Sequence, residues 1–186
     1  MDIPLNRTAY ISNYTSNWYL STDGQSETPN QAVQIWNHDP MVNGGKGSRW
    51  RISRLTTGPA GEAYRIDLVD SDGKSTVCLS ARKSKDDSDE SNSPANQGGQ
   101  GIVTVQTIAA DDSYQAWRIV PVRADQPLFE ISPVRFPEYT LGGQNGSAAH
   151  DTLVRMTRKW ASGTVAAVQT WIIEADREAG GRPSFG

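Results

Sequence analysis

The chain has a single cysteine, Cys78, among its 186 residues. No disulfide can form within it, so nothing covalent staples the fold and nothing points to an oxidising compartment. No apolar run approaches the ~18 residues that a membrane span requires, and the first residues, Met1-Asp2-Ile3-Pro4-Leu5-Asn6-Arg7, lack the apolar stretch of a secretory signal. Positive charge is not in surplus: 18 Lys and Arg stand against 21 Asp and Glu, for a net charge of −3 and a pI near 5.4. Neither a nucleic-acid groove nor insertion into a membrane is expected of such a balance. Histidine is scarce as well, with only His38 and His150, and no HExxH or Cys-x-x-Cys pattern occurs. No metal and no cofactor are therefore expected. Cys78 lies in the apolar context Val77-Cys78-Leu79, which suits a buried, inert thiol better than a nucleophile. Carboxylate pairs fall only in polar loops. The expectation is a non-enzymatic, cytoplasmic chain folded as one domain over 1–186.

Helical periodicity is also weak. Short apolar–polar alternations such as Tyr64, Ile66 and Leu68, or Ile102, Thr104 and Gln106, dominate instead. They are punctuated by Asp23-Gly24, Asn43-Gly44-Gly45, Asp72-Gly73, Gly142-Gly143 and Asn145-Gly146, the residue types that supply positive φ in tight turns. Many short strands with dense turns predict an all-β fold. The segments Asn6-Arg7-Thr8, Asn13-Tyr14-Thr15 and Asn145-Gly146-Ser147 match a glycosylation acceptor pattern but are read as polar turns.

What the chain does have is tryptophan in register. Trp50 sits in Ser48-Arg49-Trp50-Arg51-Ile52, Trp117 in Gln115-Ala116-Trp117-Arg118-Ile119 and Trp171 in Gln169-Thr170-Trp171-Ile172-Ile173. Ile11, Ile66 and Ile131 precede them by 39, 51 and 40 residues. Leu20, Val33 and Trp50 are spaced 13 then 17 residues apart, as are Leu141, Val154 and Trp171. Such self-similarity means one supersecondary unit used three times, because a single unit cannot bury its own apolar face. The repeats span about 8–54, 62–122 and 127–175. The middle one is longer because 82–100 carries no large apolar residue and reads as an extended, mobile acidic loop. The tail 177–186 is predicted to be flexible.

Three all-β repeats, two ending in a full Gln-x-Trp and one with Ser48 in the glutamine's place, resemble the ricin-type β-trefoil over roughly residues 8 to 175. That resemblance implies three pseudo-symmetric repeats of about four strands each. It places Trp50, Trp117 and Trp171 in the core, joined by Ile11, Ile66, Ile131, Ile52, Ile119 and Ile173. It also implies a lectin. The repeats of that family can carry shallow pockets in which an aromatic stacks on the C–H face of a sugar and Asp, Asn or Gln side chains replace the water around its hydroxyls. The family's Val-Gln-Leu-Trp strand is matched by Val33-Gln34-Ile35-Trp36, followed by Asn37. Strand alternation puts Gln34 and Trp36 on one face, opposite Val33 and Ile35. Trp36 reads either as the sugar platform or as rim packing. The pocket aspartate would fall near Ser21, leaving Asp23 as a displaced candidate.

The corresponding slots read Val103-Thr104-Val105-Gln106 in the second repeat and Val154-Arg155-Met156-Thr157 in the third, without the tryptophan. The asparagine before Gln-x-Trp is replaced by Gly47, Tyr114 and Val168. Gln144 and Asn145, near His150, form a secondary candidate. The disulfide-free build is similar to fungal cytoplasmic trefoil lectins. The expected ligand is a glycan or glycoprotein of galactose or N-acetylgalactosamine type. A homodimer is expected to supply avidity for a single retained site. Two other readings stay open. One is a trefoil protease inhibitor resembling the mycocypins, acting through surface loops. The other is a scaffold that binds a protein through Trp160, Arg155, Arg158 and Lys159.

Overall fold

The computed structural model describes residues 2–37, 40, 45–55, 61–84, 86–159 and 166–176. Three sets of strands follow one another along the chain. The first holds β1 (Thr8–Asn13), β2 (Tyr19–Thr22), β3 (Val33–Trp36) and β4 (Trp50–Arg54). The second holds β5 (Tyr64–Leu68), β6 (Val77–Ser80), β7 (Gln100–Ile102), β8 (Thr104–Thr107) and β9 (Trp117–Pro121). The third holds β10 (Leu128–Pro133), β11 (Tyr139–Gly143), β12 (Thr152–Arg158) and β13 (Trp171–Ala175).

The first and last strand of each set close a six-stranded antiparallel barrel. Its order is β1–β13–β10–β9–β5–β4 and back to β1. The inner strands form three hairpins, β2–β3, β6–β8 and β11–β12. These are linked by β3–β12 pairing and by the Ala32–Thr104 bridge. A closed barrel leaves no edge strand to template aggregation. This is a β-trefoil, and the fifth strand of the middle set, β7, pairs outward with β12.

The three tryptophans make the symmetry physical. Each is fully buried, and each indole N–H donates to the carbonyl of the leucine that opens the hairpin of its own set. Trp50 donates to Leu20 at 2.9 Å, Trp117 to Leu79 at 3.0 Å and Trp171 to Leu141 at 3.1 Å. A buried indole N–H without an acceptor is costly, so this bond fixes both the ring and the height of the hairpin above the barrel. The six expected isoleucines are all buried beside them. The repeated glutamine ties down the preceding loop: Gln115 donates to Thr107 O and accepts from Ala109 N, while Gln169 donates to Arg158 O and Thr157 Oγ1.

The structure changes one local reading. Gly142-Gly143 is not a turn but the end of β11. A side chain at Gly143 would overlap the Ser147 carbonyl, and one at Gly142 would lie 2.8 Å from Thr157 Oγ1. Close backbone approach, not turn geometry, requires glycine there. Asn13 is fully buried, donating to Val168 O while its Oδ1 accepts from Thr15 N. The acidic stretch also carries order that its composition does not announce. Ser88 caps a single helical turn, α1 (Asp89–Asn92), Asn92 is buried and donates to Ala81 O, and Asp89 pairs with Arg135. Among the described residues no helix is long and apolar enough to cross a membrane. The tail 177–186 and Trp160 lie outside the described residues.

Candidate functional site

The shared leucine–tryptophan bond aligns the outer faces of the three hairpins. Leu20 pairs with Ile35, Leu79 with Val105 and Leu141 with Met156. The outward slots are therefore Gln34 and Trp36 in the first repeat, Thr104 and Gln106 in the second, and Arg155 and Thr157 in the third.

In the first repeat Trp36 ends β3 half-buried, and Asn37 beside it is exposed. His150 stands edge-on to the Trp36 ring with centroids 4.5 Å apart and planes at 69°. The Trp18 ring lies 6.1 Å from the same imidazole. His150 arrives from the third repeat because Asp151 N donates to Ile35 O at 3.0 Å and Thr152 pairs with Ile35, which lays the start of β12 along β3. His38 and Asp39, which follow Asn37, lie outside the described residues.

Gln34 shares the outward face with Trp36 but is only 4% exposed, covered where Leu153 pairs with it, and its Nε2 finds no acceptor. Such a buried, unused donor is rare and costs stability. Ser21, opposite Gln34, is fully buried. Asp23 opens a 3-10 turn (Asp23–Gln25) and is exposed, its backbone N–H bonded to Ala32 O. Ala32 lies four residues before Trp36, about 13 Å at the usual strand rise. Asp23 and Trp36 therefore occupy opposite ends of the β2–β3 hairpin, while Gln34, Trp36 and Asn37 stay together.

The second repeat fills its equivalent face. Arg82, in Asp23's place, pairs with Asp112 at 2.6 Å, and its guanidinium lies 4.7 Å from the centre of the Tyr114 ring. Thr104 donates to Arg82 O, and Gln106, in Trp36's place, donates to Lys83 O at 2.7 Å and to Thr104 Oγ1 at 2.8 Å.

In the third repeat a matching 3-10 turn (Gln144–Gly146) carries the secondary candidates. Asn145 is exposed, with φ 57°, and exchanges two bonds with Gln100: Gln100 Nε2 donates to Asn145 Oδ1 at 3.0 Å, and Asn145 N donates to Gln100 Oε1 at 3.4 Å. Gln144 Oε1 accepts from Arg155 Nε at 3.4 Å. Arg155 is half-buried, and desolvation pulls its guanidinium below the ordinary arginine value. Gln100, Trp18 and Arg155 were not singled out as pocket residues by the sequence. Arg155 was readable by register, because it stands where Gln34 stands.

A cleft of about 360 Å³ opens elsewhere, beside Leu55, Ala63, Asp111 and Ser113. Among the described residues its cation is Arg65, committed to Asp67 through a two-pronged pair at 2.6 and 3.1 Å. Cys78 is fully buried, and burial pushes its thiol pKa up, away from the reactive thiolate. Among the described residues no group of three or more His, Cys, Asp and Glu side chains could hold a metal ion.

No family model matches the chain, and no curated protein sequence is similar to it. Solved structures share the fold. A designed threefold-symmetric protein, ThreeFoil, superposes with a TM-score of 0.64 at 15% identity, covering 91% of this chain and 98% of its own. The Rhizoctonia solani agglutinin superposes at 0.61 with 16% identity over 95% of this chain and all of its own. The Macrolepiota procera ricin B-like lectin, in complex with lactose, does so at 0.61 with 17% identity, again over 95% of this chain and all of its own. Three further matches are to larger proteins, of which this chain spans 18 to 36%. At these identities the likeness defines the β-trefoil fold.

Proposed function

We propose that this protein is a lectin that binds a neutral hexose of galactose or N-acetylgalactosamine type, without catalysis, on the outer face of its first repeat. The observation that carries the reading is the half-buried Trp36 ring, buttressed edge-on by His150 and followed by exposed Asn37. A ring fixed in this way offers an apolar platform without the entropic cost of ordering it at the moment of binding. Asn37 supplies an amide that both donates and accepts, as a sugar hydroxyl pair requires. Two proteins that share the fold, an agglutinin and a lactose-bound lectin, support the ligand class. Asp23, at the far end of the hairpin, would serve an extended glycan rather than the sugar on Trp36.

The test is a glycan array probed with wild type, Trp36→Ala and His150→Ala. Galactose-terminated glycans are expected to bind wild type, to be lost with Trp36→Ala and to be weakened with His150→Ala. A blank array for wild type would contradict the reading, and retention by Trp36→Ala would contradict its location.

A further inference from the structure

The cleft beside Leu55 and Ala63 lies on the barrel wall, at a place that the threefold repeat defines. Leu55 N donates to Ala63 O, as Asp176 N does to Thr8 O and Val122 N to Leu128 O, each at 2.8 Å. Counted back from the tryptophans, Ala116 stands where Arg49 and Thr170 stand, and Asp112 where Gly45 stands. The pairing of Ala9 with Trp50, Tyr64 with Trp117 and Phe129 with Trp171 puts Arg65 in register with Tyr10 and Glu130. In the first repeat the chain fills this place itself. The Arg49 side chain lies against Gly45, where an added Cβ would collide with its Cγ and Cδ. Its Nε reaches Asp176 at 3.8 Å, and the Tyr10 hydroxyl donates to the same carboxylate at 3.4 Å. In the third repeat Leu128 takes the place of Ala63, and Lys159 meets Glu130 at 2.6 Å.

The second repeat has alanine at 63 and 116, and the space stays open at about 360 Å³, within the range of about 300–1,000 Å³ usual for ligand pockets. Its charges do not cancel. Arg65 is answered by Asp67 and Asp112 by Arg82, but Asp111 is exposed and no cation pairs with it among the described residues. An apolar wall ending in one uncommitted carboxylate suits a side chain with a methylene stem and a cationic head. Arginine suits it better than lysine, because its planar fork matches a carboxylate and its more weakly hydrated charge is less costly to bring to a surface. We infer that this cleft receives an arginine side chain of a partner protein, its stem on Leu55, Ala63 and Ala116 and its guanidinium on Asp111. The incoming residue takes the place that Arg49 occupies in the first repeat. The inference is independent of the sugar-binding reading, because it uses no residue of the three hairpins.

The experiment is a heteronuclear NMR titration of the full chain with three probes in turn: a Gly-Arg-Gly peptide capped at both ends, its citrulline counterpart, and free arginine. It follows the backbone amides of Ala63, Asp111, Ser113 and Ala116, with the Trp36 indole N–H as a distant reference. The arginine peptide is expected to shift the cleft signals saturably and to leave Trp36 in place. Citrulline, which keeps the shape and loses the charge, should shift them little, and free arginine should bind more weakly because its own carboxylate approaches Asp111. Asp111→Asn is expected to weaken the peptide roughly threefold to tenfold, the loss of a charge-assisted bond at an exposed group. Asparagine also tolerates the positive φ of 59° at this position, so the variant should fold as wild type does. Ala116→Arg supplies from within the chain the side chain that the first repeat already has; it should abolish peptide binding and melt no lower than wild type. No saturable shift, equal shifts with citrulline, or unchanged binding by either variant would overturn the inference. Free arginine binding as tightly as the peptide would overturn the protein partner, and a marked fall in the melting temperature of Ala116→Arg would overturn the fit to the cleft.

Discussion

Trp36 and Gln106 stand in the same place in successive repeats, each on the outward face of the last hairpin strand and each beside the Gln34 or Thr104 slot. Around Gln106 the outward side chains bond to their surroundings: Arg82 to Asp112, Thr104 to Arg82 O, and Gln106 to Lys83 O and Thr104, although Arg82 Nε has no acceptor. Around Trp36 the Gln34 amide has a donor with no acceptor, and the ring is backed by His150 from another repeat. Identical backbone geometry thus serves two ends. In the second repeat the slots tie the hairpin to its neighbouring loop; in the first, on the proposed reading, they serve recognition. The trefoil backbone alone does not decide what such a slot does.

The largest effect expected from a single change lies below both faces, in the part that the repeats share. Trp117→Ala removes a fully buried indole and its bond to Leu79 O. A loss of about 3–5 kcal/mol is expected, measured by urea unfolding. Trp50→Ala should match it, and a large inequality between the two would break the symmetry of the core. Next comes Arg82→Ala, which leaves the nearly buried Asp112 carboxylate without its cation. About 3 kcal/mol should be lost, with first-repeat ligand binding unchanged, and calorimetry on the same sample separates the two effects. Gly143→Ala follows, at about 1–3 kcal/mol by thermal melting, because the added methyl meets the Ser147 carbonyl. No loss would show that the β11 end can yield. Smallest in stability is Trp36→Ala, about 1 kcal/mol or less for a half-exposed ring, although it is expected to cost the most in binding.

The core was legible because its requirements are local and repeated. An isoleucine, a leucine and a tryptophan recurring in order, at matching spacing in the first and third repeats, specify which residues face inward, and the structure buries each of them. The slots were legible by the same register. What they contact was not, because those contacts cross between repeats. His150 reaches Trp36 only because β12 pairs with β3, and no spacing within one repeat encodes that pairing. Gln34 was expected to face outward, and it does, but β12 covers it. Gly142-Gly143 looked like a turn because glycine pairs usually supply positive φ, whereas here the constraint is the passage of the Ser147 carbonyl. The order around Asn92 escaped composition because it rests on a cap and an amide bond to Ala81 O rather than on apolar burial.

The most direct test of the contrast between the first and second repeats is a paired measurement on Trp36→Ala and Gln106→Ala. Each protein is melted alone and then titrated calorimetrically with lactose and with N-acetylgalactosamine. Trp36→Ala is expected to melt close to wild type and to bind neither sugar, while Gln106→Ala melts lower and binds as wild type does. Sugar binding that depends on Gln106, or that survives the loss of Trp36, would contradict the account.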